Sequence, residues 1–221
     1  MNFQALRSHP AFPLVFPYLL FATCGLLHNL HPLAIYITYP LKTILVSWAL
    51  LVFWKTYPIS RLNLKITLGS IAVGLLCLIA WILPYEHLIP ADQLTTAYNP
   101  SAHFKNQLLV ISLLTIRLIG ASFTVPLMEE LFIRGFLQRY LIKSDFQNVP
   151  IGTYTHFSFW TTTALFALTH GSEWHVALLA GVIFGAWYIF TKNLTAVILA
   201  HATTNFTLGL YVILSGKTHF W

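Results

Sequence analysis

The chain has 221 residues, of which 57% are hydrophobic and only 8% are charged, and its formal net charge is +6. Soluble domains carry about 25% charged residues. The composition, with a mean hydropathy of +0.71, therefore excludes a soluble globular protein and predicts an all-α, polytopic transmembrane helical bundle in the lipid bilayer. The basic residues are explained as flanks of spanning helices, and because no nucleic-acid-binding motif occurs, we expect no nucleic-acid partner.

A spanning helix needs roughly 20 mainly apolar residues, and the sequence contains about seven such runs. Pro13 and Pro17 stand in the first turns of the first run, where a helix tolerates proline. No repeat or linker interrupts the chain, so we predict one transmembrane domain over residues 1–221, with an eighth span left open. The predicted spans are 11–28, 33–54, 66–83, 106–127, 155–170, 175–190 and 194–213.

Lysine and arginine gather in alternate connections between these runs, and this bias predicts which ends face the cytoplasm. Acidic residues lie in the other connections, at Glu86, Asp92 and Glu173. The pattern places the N-terminus in the cytoplasm and, for seven spans, the C-terminus outside; an eighth span would reverse the C-terminus. The basic residues behind this prediction are Arg7, Lys55, Arg61, Lys65, Arg139, Lys143 and Lys192.

Two of the six acidic residues stand side by side in apolar sequence, at Glu129 and Glu130. Apolar spacing beyond residue 127 predicts that the fourth helix continues as far as Lys143. In that helix Glu130 precedes Arg134 by four residues, the favourable order for an ion pair, whereas Glu129 points about 100° away. Ionisable groups within spans are costly and usually face the bundle interior. The pair is therefore a candidate general base or metal ligand.

Two later helices carry further polar groups. Phe166 precedes His170 at the far end of the fifth run, and His201 lies four residues before Asn205 on one face of the seventh. Counted at 1.5 Å per residue from the same basic connection, Glu129 and His170 lie about 20 and 22 Å deep. We therefore expect these polar groups to converge within the membrane. From the residues alone, His170 also fits a helix cap, and His201 with Asn205 also fits a helix-packing pair.

The three motifs are EExxxR at 129–134, FxxxH at 166–170 and HxxxN at 201–205. Their order resembles the CAAX-processing and bacteriocin-processing (CPBP, or ABI) family of intramembrane proteases, over residues 126–205. The resemblance implies a catalytic core at about 106–213 and a multi-pass protein of a bacterial inner membrane. The surrounding sequence is similar to the CAAX-protease-related proteins found with exosortase systems, which would make such a sorting system a partner.

The resemblance implies an endopeptidase that cleaves a membrane-associated peptide or protein. In that family the first glutamate and the FxxxH histidine are taken to activate water, which assigns this task to Glu129 and His170. His201 and Asn205 would stabilise the oxyanion or complete a metal site. Chemically this is reasonable, since peptide hydrolysis needs an activated water and donors placed where negative charge develops.

The roles of the remaining motif residues follow from their neighbours. Glu130 is a second candidate catalytic carboxylate, although Arg134 favours a structural pairing for it. Arg134 and Phe166 are expected to support the site rather than react. A second interpretation, from another class, is a non-proteolytic membrane protein, such as a bacteriocin-immunity or scaffold protein that keeps the polar groups for structure. Retention of all the motif residues favours the enzyme, because a scaffold needs no general base.

Zinc is the one cofactor that the motifs suggest, since Glu129, His170 and His201 are the ligand types of a catalytic zinc site. A route without metal, in which glutamate and histidine polarise water directly, is chemically open as well. Other hydrolase patterns are absent from the sequence: it has no HExxH, no paired aspartates within spans and no GxSxG. The substrate and the membrane face from which it enters stay open.

Overall fold

Seven helices and no strand make up the part of the chain that the computed structural model describes, residues 9–27, 31–88 and 98–221. Each helix corresponds to one predicted run, so the all-α bundle is confirmed. Arg7 and Asp92, which contribute to the predicted membrane orientation, lie outside the described residues. The helices are α1 (Phe12–Gly25), α2 (Ile35–Val52), α3 (Leu64–Leu88), α4 (Gln107–Tyr140), α5 (His156–Leu168), α6 (Trp174–Thr191) and α7 (Leu194–Ser215).

Five of the described helices are long and apolar enough to cross a membrane, namely α2, α3, α4, α6 and α7. With 14 and 13 residues, α1 and α5 are about 20 Å long, less than the roughly 30 Å of hydrocarbon in a bilayer. Both are thus shorter than the spans predicted there. In α5 the last helical residue is Leu168, and Gly171, with φ of 58°, follows in a left-handed conformation that ends the run.

The longest helix, α4, continues past residue 127 as predicted and ends at Tyr140, three residues before Lys143. Its 34 residues correspond to about 51 Å. Two π-helical segments, Gly120–Thr124 and Leu131–Leu137, lie on either side of the α-helical turn Val125–Glu130 that carries both glutamates. Such segments are rare and occur frequently at functional sites.

Small residues allow close approach between helices. A Cβ atom on Gly74 of α3 would lie 2.5 Å from the Ala200 carbonyl oxygen of α7, and the Thr204 hydroxyl donates to the Gly74 carbonyl at 2.8 Å. At Gly120 a Cβ atom would lie 2.8 Å from Thr43 Oγ1 of α2. Small-residue contacts and interhelical hydrogen bonds are the usual means by which helices associate in a membrane, and here they position α4 and α7.

One basic residue used for the orientation is a structural residue. Arg139 is buried, and its guanidinium donates to the carbonyl oxygens of Val149, Gly135 and Gln147 at 2.8, 2.9 and 3.2 Å. These bonds attach the connection after α4 to the end of the helix. Since the charge of Arg139 is satisfied inside the protein, its weight in the predicted orientation is smaller than that of exposed residues such as Arg61.

The contact at Gly74 gives a stability prediction. Gly74→Ala places a methyl group 2.5 Å from a backbone oxygen, so α3 and α7 must move apart, and overpacking of this kind costs about 1–3 kcal/mol. We expect a lower melting temperature in detergent. Gly25→Ala is the matched control, because its Cβ would meet nothing within 4 Å. Equal melting temperatures for the two variants would contradict the proposed closeness of α3 and α7.

Candidate active site

The centre of the site is a buried network of three charged or polar side chains. Glu130 Oε1 accepts hydrogen bonds from Arg134 Nη1 at 3.0 Å and from His201 Nδ1 at 2.9 Å. The predicted ion pair between Glu130 and Arg134 is therefore present, and His201 is a second partner that the sequence did not indicate. The side chains are 0%, 1% and 4% exposed, respectively, so their charges depend on one another for solvation.

Arg134 connects this network to two more helices. Its Nη2 donates to the Gly181 carbonyl of α6 at 3.3 Å, and the Phe166 ring of α5 lies 5.1 Å from its guanidinium carbon. The backbone carbonyl of Arg134 accepts from the Tyr188 hydroxyl at 3.0 Å. Four helices, α4 to α7, thus meet at one ion pair. Arg134 and Phe166 both take part in these contacts, and the supporting roles predicted for them stay predictions.

Glu129, unlike Glu130, makes no ion pair with Arg134, and one oxygen of each carboxylate has no described hydrogen-bond partner. Glu129 Oε2 is buried and accepts no hydrogen bond from the described residues. Nε2 of His201 lies 3.9 Å from this oxygen, beyond hydrogen-bond distance. Buried oxygens of this kind are normally satisfied by a partner or by ordered water. The Glu129 carboxylate is therefore available to a water molecule or a substrate.

The two histidines each commit one ring nitrogen to the protein. His170 Nδ1 lies 2.7 Å from the Phe166 carbonyl oxygen, and because a carbonyl only accepts, Nδ1 carries the proton and leaves Nε2 free. His201 Nδ1 is likewise held by Glu130. The ring of Phe184 stacks on His201 at 4.7 Å, and that of Phe166 lies 4.5 Å from His170. Both Nε2 atoms are left for chemistry.

Asn205 links α7 to the first π-helical segment of α4. Its Nδ2 donates to the Ala121 carbonyl at 2.9 Å, which leaves its second N–H and its Oδ1 without a described protein partner. In a regular α-helix each backbone carbonyl accepts from the N–H group four residues further along the chain. A π-helical segment interrupts this pattern and so alters which carbonyls are available to other donors. The hydrogen bond fixes the orientation of the amide at the wall of the site.

These groups surround one cavity of about 180 Å³. Glu129, His170, His201 and Asn205, the four residues predicted to converge, all line it. Their roles remain predictions. Arg117, a residue to which the sequence analysis gives no role, also lines the cavity; a lone cation within an apolar run is the signal that could have indicated it. Aromatic wall residues such as Trp81 and Phe184 carried no such indication, because in sequence they resemble any other core residue.

The first π-helical segment determines which face of α4 lines the cavity. Arg117, Ala121, Val125 and Glu129, spaced by four, all line it. In a straight α-helix, 12 residues at 100° each would put Glu129 about 120° away from Arg117 around the axis. A π turn accommodates one extra residue, which reduces this offset to about 20°. The segment Gly120–Thr124 therefore keeps all four positions on one face.

Residues suited to zinc are present but not clustered. Among the residues that the structure describes, no group of three His, Cys, Asp or Glu side chains could hold a metal ion. His201 and His170 each hold Nδ1 against an oxygen of the protein, which leaves Nε2 as the ring nitrogen that a metal ion would need. The side chains as placed do not form a preformed metal centre. A zinc site of Glu129, His170 and His201 stays a prediction from ligand types.

The fold and these side chains define a multi-pass helical membrane protein with a buried, carboxylate-containing cavity. Residues 111–207 match the model of the family described as "Type II CAAX prenyl endopeptidase Rce1-like". This segment contains all three motifs, so the resemblance to the CPBP family is confirmed, and it supports an intramembrane protease of CAAX type acting on a peptide or protein. The exosortase-associated subgroup is not confirmed.

Comparisons with curated proteins and with solved structures gave no match.

The buried ion pair gives the prediction for this site. Arg134→Ala leaves the Glu130 carboxylate without its arginine in a buried position, and breaking one partner of such a pair typically costs about 3–5 kcal/mol. We expect a large fall in melting temperature. The control is Arg61→Ala, which removes an exposed arginine and should leave the melting temperature unchanged. An Arg134→Ala protein as stable as this control would show that the pair is not structural.

Proposed function

We propose that this protein is an intramembrane endopeptidase of CAAX type in which Glu129 is the general base. The observation that carries the proposal is the contrast between two adjacent carboxylates. Glu130 Oε1 accepts from Arg134 and His201 at 3.0 and 2.9 Å, and Glu130 is not among the residues that line the cavity, whereas Glu129 is. A base must be able to accept a proton from water. Oε2 of each glutamate has no described partner, but of the two carboxylates only Glu129 borders the space that water and substrate would enter.

In the proposed reaction a water molecule lies between Glu129 and Nε2 of His170. Glu129 takes one proton from it, and the resulting hydroxide attacks the carbonyl carbon of the substrate peptide bond. His170 Nε2, as an acceptor, orients the water, since Phe166 holds its other nitrogen protonated. The cavity of about 180 Å³ has room for a water, whose share of liquid volume is about 30 Å³, beside a peptide segment.

The negative charge that develops on the carbonyl oxygen requires donors. Asn205 has a second N–H that is not used by Ala121, and His201 donates from Nε2 when its ring is doubly protonated. Glu130 beside Nδ1 balances the charge of that imidazolium. Preorganised donors of this type stabilise the tetrahedral intermediate. The intermediate then collapses, the C–N bond breaks, and the proton held by Glu129 passes to the leaving amine.

The proposal is tested on substrate peptides ending in a CAAX sequence, with and without a prenyl group, each carrying a quenched fluorophore. Glu129→Gln keeps the size of the side chain but removes its basicity, so cleavage should collapse while the melting temperature is retained. His170→Ala should lose cleavage too. Asn205→Ala should lower turnover by roughly 100- to 1,000-fold if its amide is an oxyanion donor.

Asp145→Asn is the control for this series, because it neutralises an exposed carboxylate remote from the motifs and should cleave at the parental rate. A Glu129→Gln protein with parental activity would end the assignment of the base. Absence of cleavage of both peptides by the parental protein would instead favour the non-proteolytic interpretation, in which the motif residues serve structure alone.

The metal prediction is tested separately on the purified, active protein. If zinc is required, chelation should abolish cleavage, add-back should restore it, and metal analysis should find about one ion per chain. Substitution of a ligand such as His201→Ala should then lower the metal content. Full activity with no bound metal would exclude the zinc interpretation and leave the direct action of Glu129 and His170 on water.

A further inference from the structure

Arg117 is a cation in the cavity wall without a carboxylate partner. The ion pairs found among the described residues involve Glu129 and Glu130 and do not include it. Its Nε is buried and has no hydrogen-bond partner in the described part of the chain. Glu173, immediately before α6, interacts electrostatically with Arg117, but the ion pairs of the described residues do not include these two. A guanidinium without an ion-pair partner within a membrane span is costly and marks a functional position.

Aromatic rings hold this guanidinium in place. Its carbon lies 4.4 Å from the ring centre of Tyr39, 5.0 Å from that of Tyr98 and 5.8 Å from that of Trp221. Rings stabilise a cation through their negative faces without forming hydrogen bonds to it. The N–H groups of an arginine held in this way remain available, and their planar fork matches a carboxylate.

We propose, on the basis of the proposed function, that Arg117 binds a carboxylate of the substrate and so positions the peptide along the cavity. Arg117 and Glu129 both line the cavity. They lie on one face of α4, separated by about 20° around the helix axis. Twelve residues of helix correspond to about 18 Å, which an extended peptide covers in about five residues. The protein would then cleave within about five residues of the recognised carboxylate.

A carboxylate in a peptide comes from the free C-terminus or from an acidic side chain, and binding measurements distinguish the two. The probes are three fluorescent versions of one apolar peptide: a free acid, its C-terminal amide, and the amide with a glutamate as its last residue. Each is titrated against the Glu129→Gln protein in nanodiscs, where binding is measured without cleavage. We expect the free acid to bind at least about tenfold more tightly than the amide, as a charge-assisted hydrogen bond allows.

Variants of Arg117 made in the Glu129→Gln protein test whether Arg117 causes the preference for the free acid. Arg117→Gln should bring the acid-to-amide affinity ratio close to one, mainly by weakening binding of the acid, and Arg117→Lys should retain part of the ratio. Lys105→Gln, which removes an exposed cation near the same end of α4, is the matched control and should keep the full ratio. Glu173→Gln should also keep it, because Glu173 is not the partner of Arg117.

Tight binding of the amide that carries a glutamate would assign the carboxylate to a side chain, and tight binding of the free acid alone would assign it to the C-terminus. Equal binding of all three peptides by the Glu129→Gln protein overturns the inference, and so does a preference that Arg117→Gln leaves unchanged. The first comparison needs no change at Arg117, so it holds even where Arg117→Gln fails to fold. Since binding requires no cleavage, its failure is distinct from the failure of the proposed function.

Discussion

The buried contact among Glu130, Arg134 and His201 is the constraint on which the rest of the structure depends. A carboxylate removed from water is tolerated only with partners, and the two partners of Glu130 come from its own helix and from α7. Arg134 extends the same network to α5 and α6. The four C-terminal helices therefore cannot shift relative to one another without exposing a charge to an apolar environment.

The contacts of Glu130 also determine the surroundings of its neighbour, Glu129. With Glu130 bound to Arg134 and to Nδ1 of His201, the ring orientation of His201 is fixed, and its Nε2 lies 3.9 Å from Glu129 Oε2. Two adjacent carboxylates thus have different surroundings, because one accepts from two donors and the other borders the cavity. Neighbouring residues on a helix point in directions about 100° apart, and for this reason two glutamates next to each other in sequence have different neighbours.

The sequence predicted the parts of this arrangement that depend on local spacing. Helix positions followed from apolar runs, and the Glu130–Arg134 pair followed from a separation of four residues. The partnership of His201 with Glu130 spans 71 positions, and no periodicity reports a contact at that range. The π-helical segments were also missed, because Gly120–Thr124 and Leu131–Leu137 have the composition of ordinary apolar helix. The shortness of α5 depends on Gly171, whose effect the apolar pattern masks.

The cavity extends from the motif residues that line it toward one end of the bundle. Its lining includes Trp81 in the second half of α3, Arg117 and Ala121 in the first half of α4, and Leu208 in the second half of α7. Because consecutive helices alternate in direction, these positions share one end of the bundle. The basic residues predict that the N-terminus is cytoplasmic and that α4 begins outside. In that orientation a substrate would enter from the external side, and Arg117 would be met before Glu129.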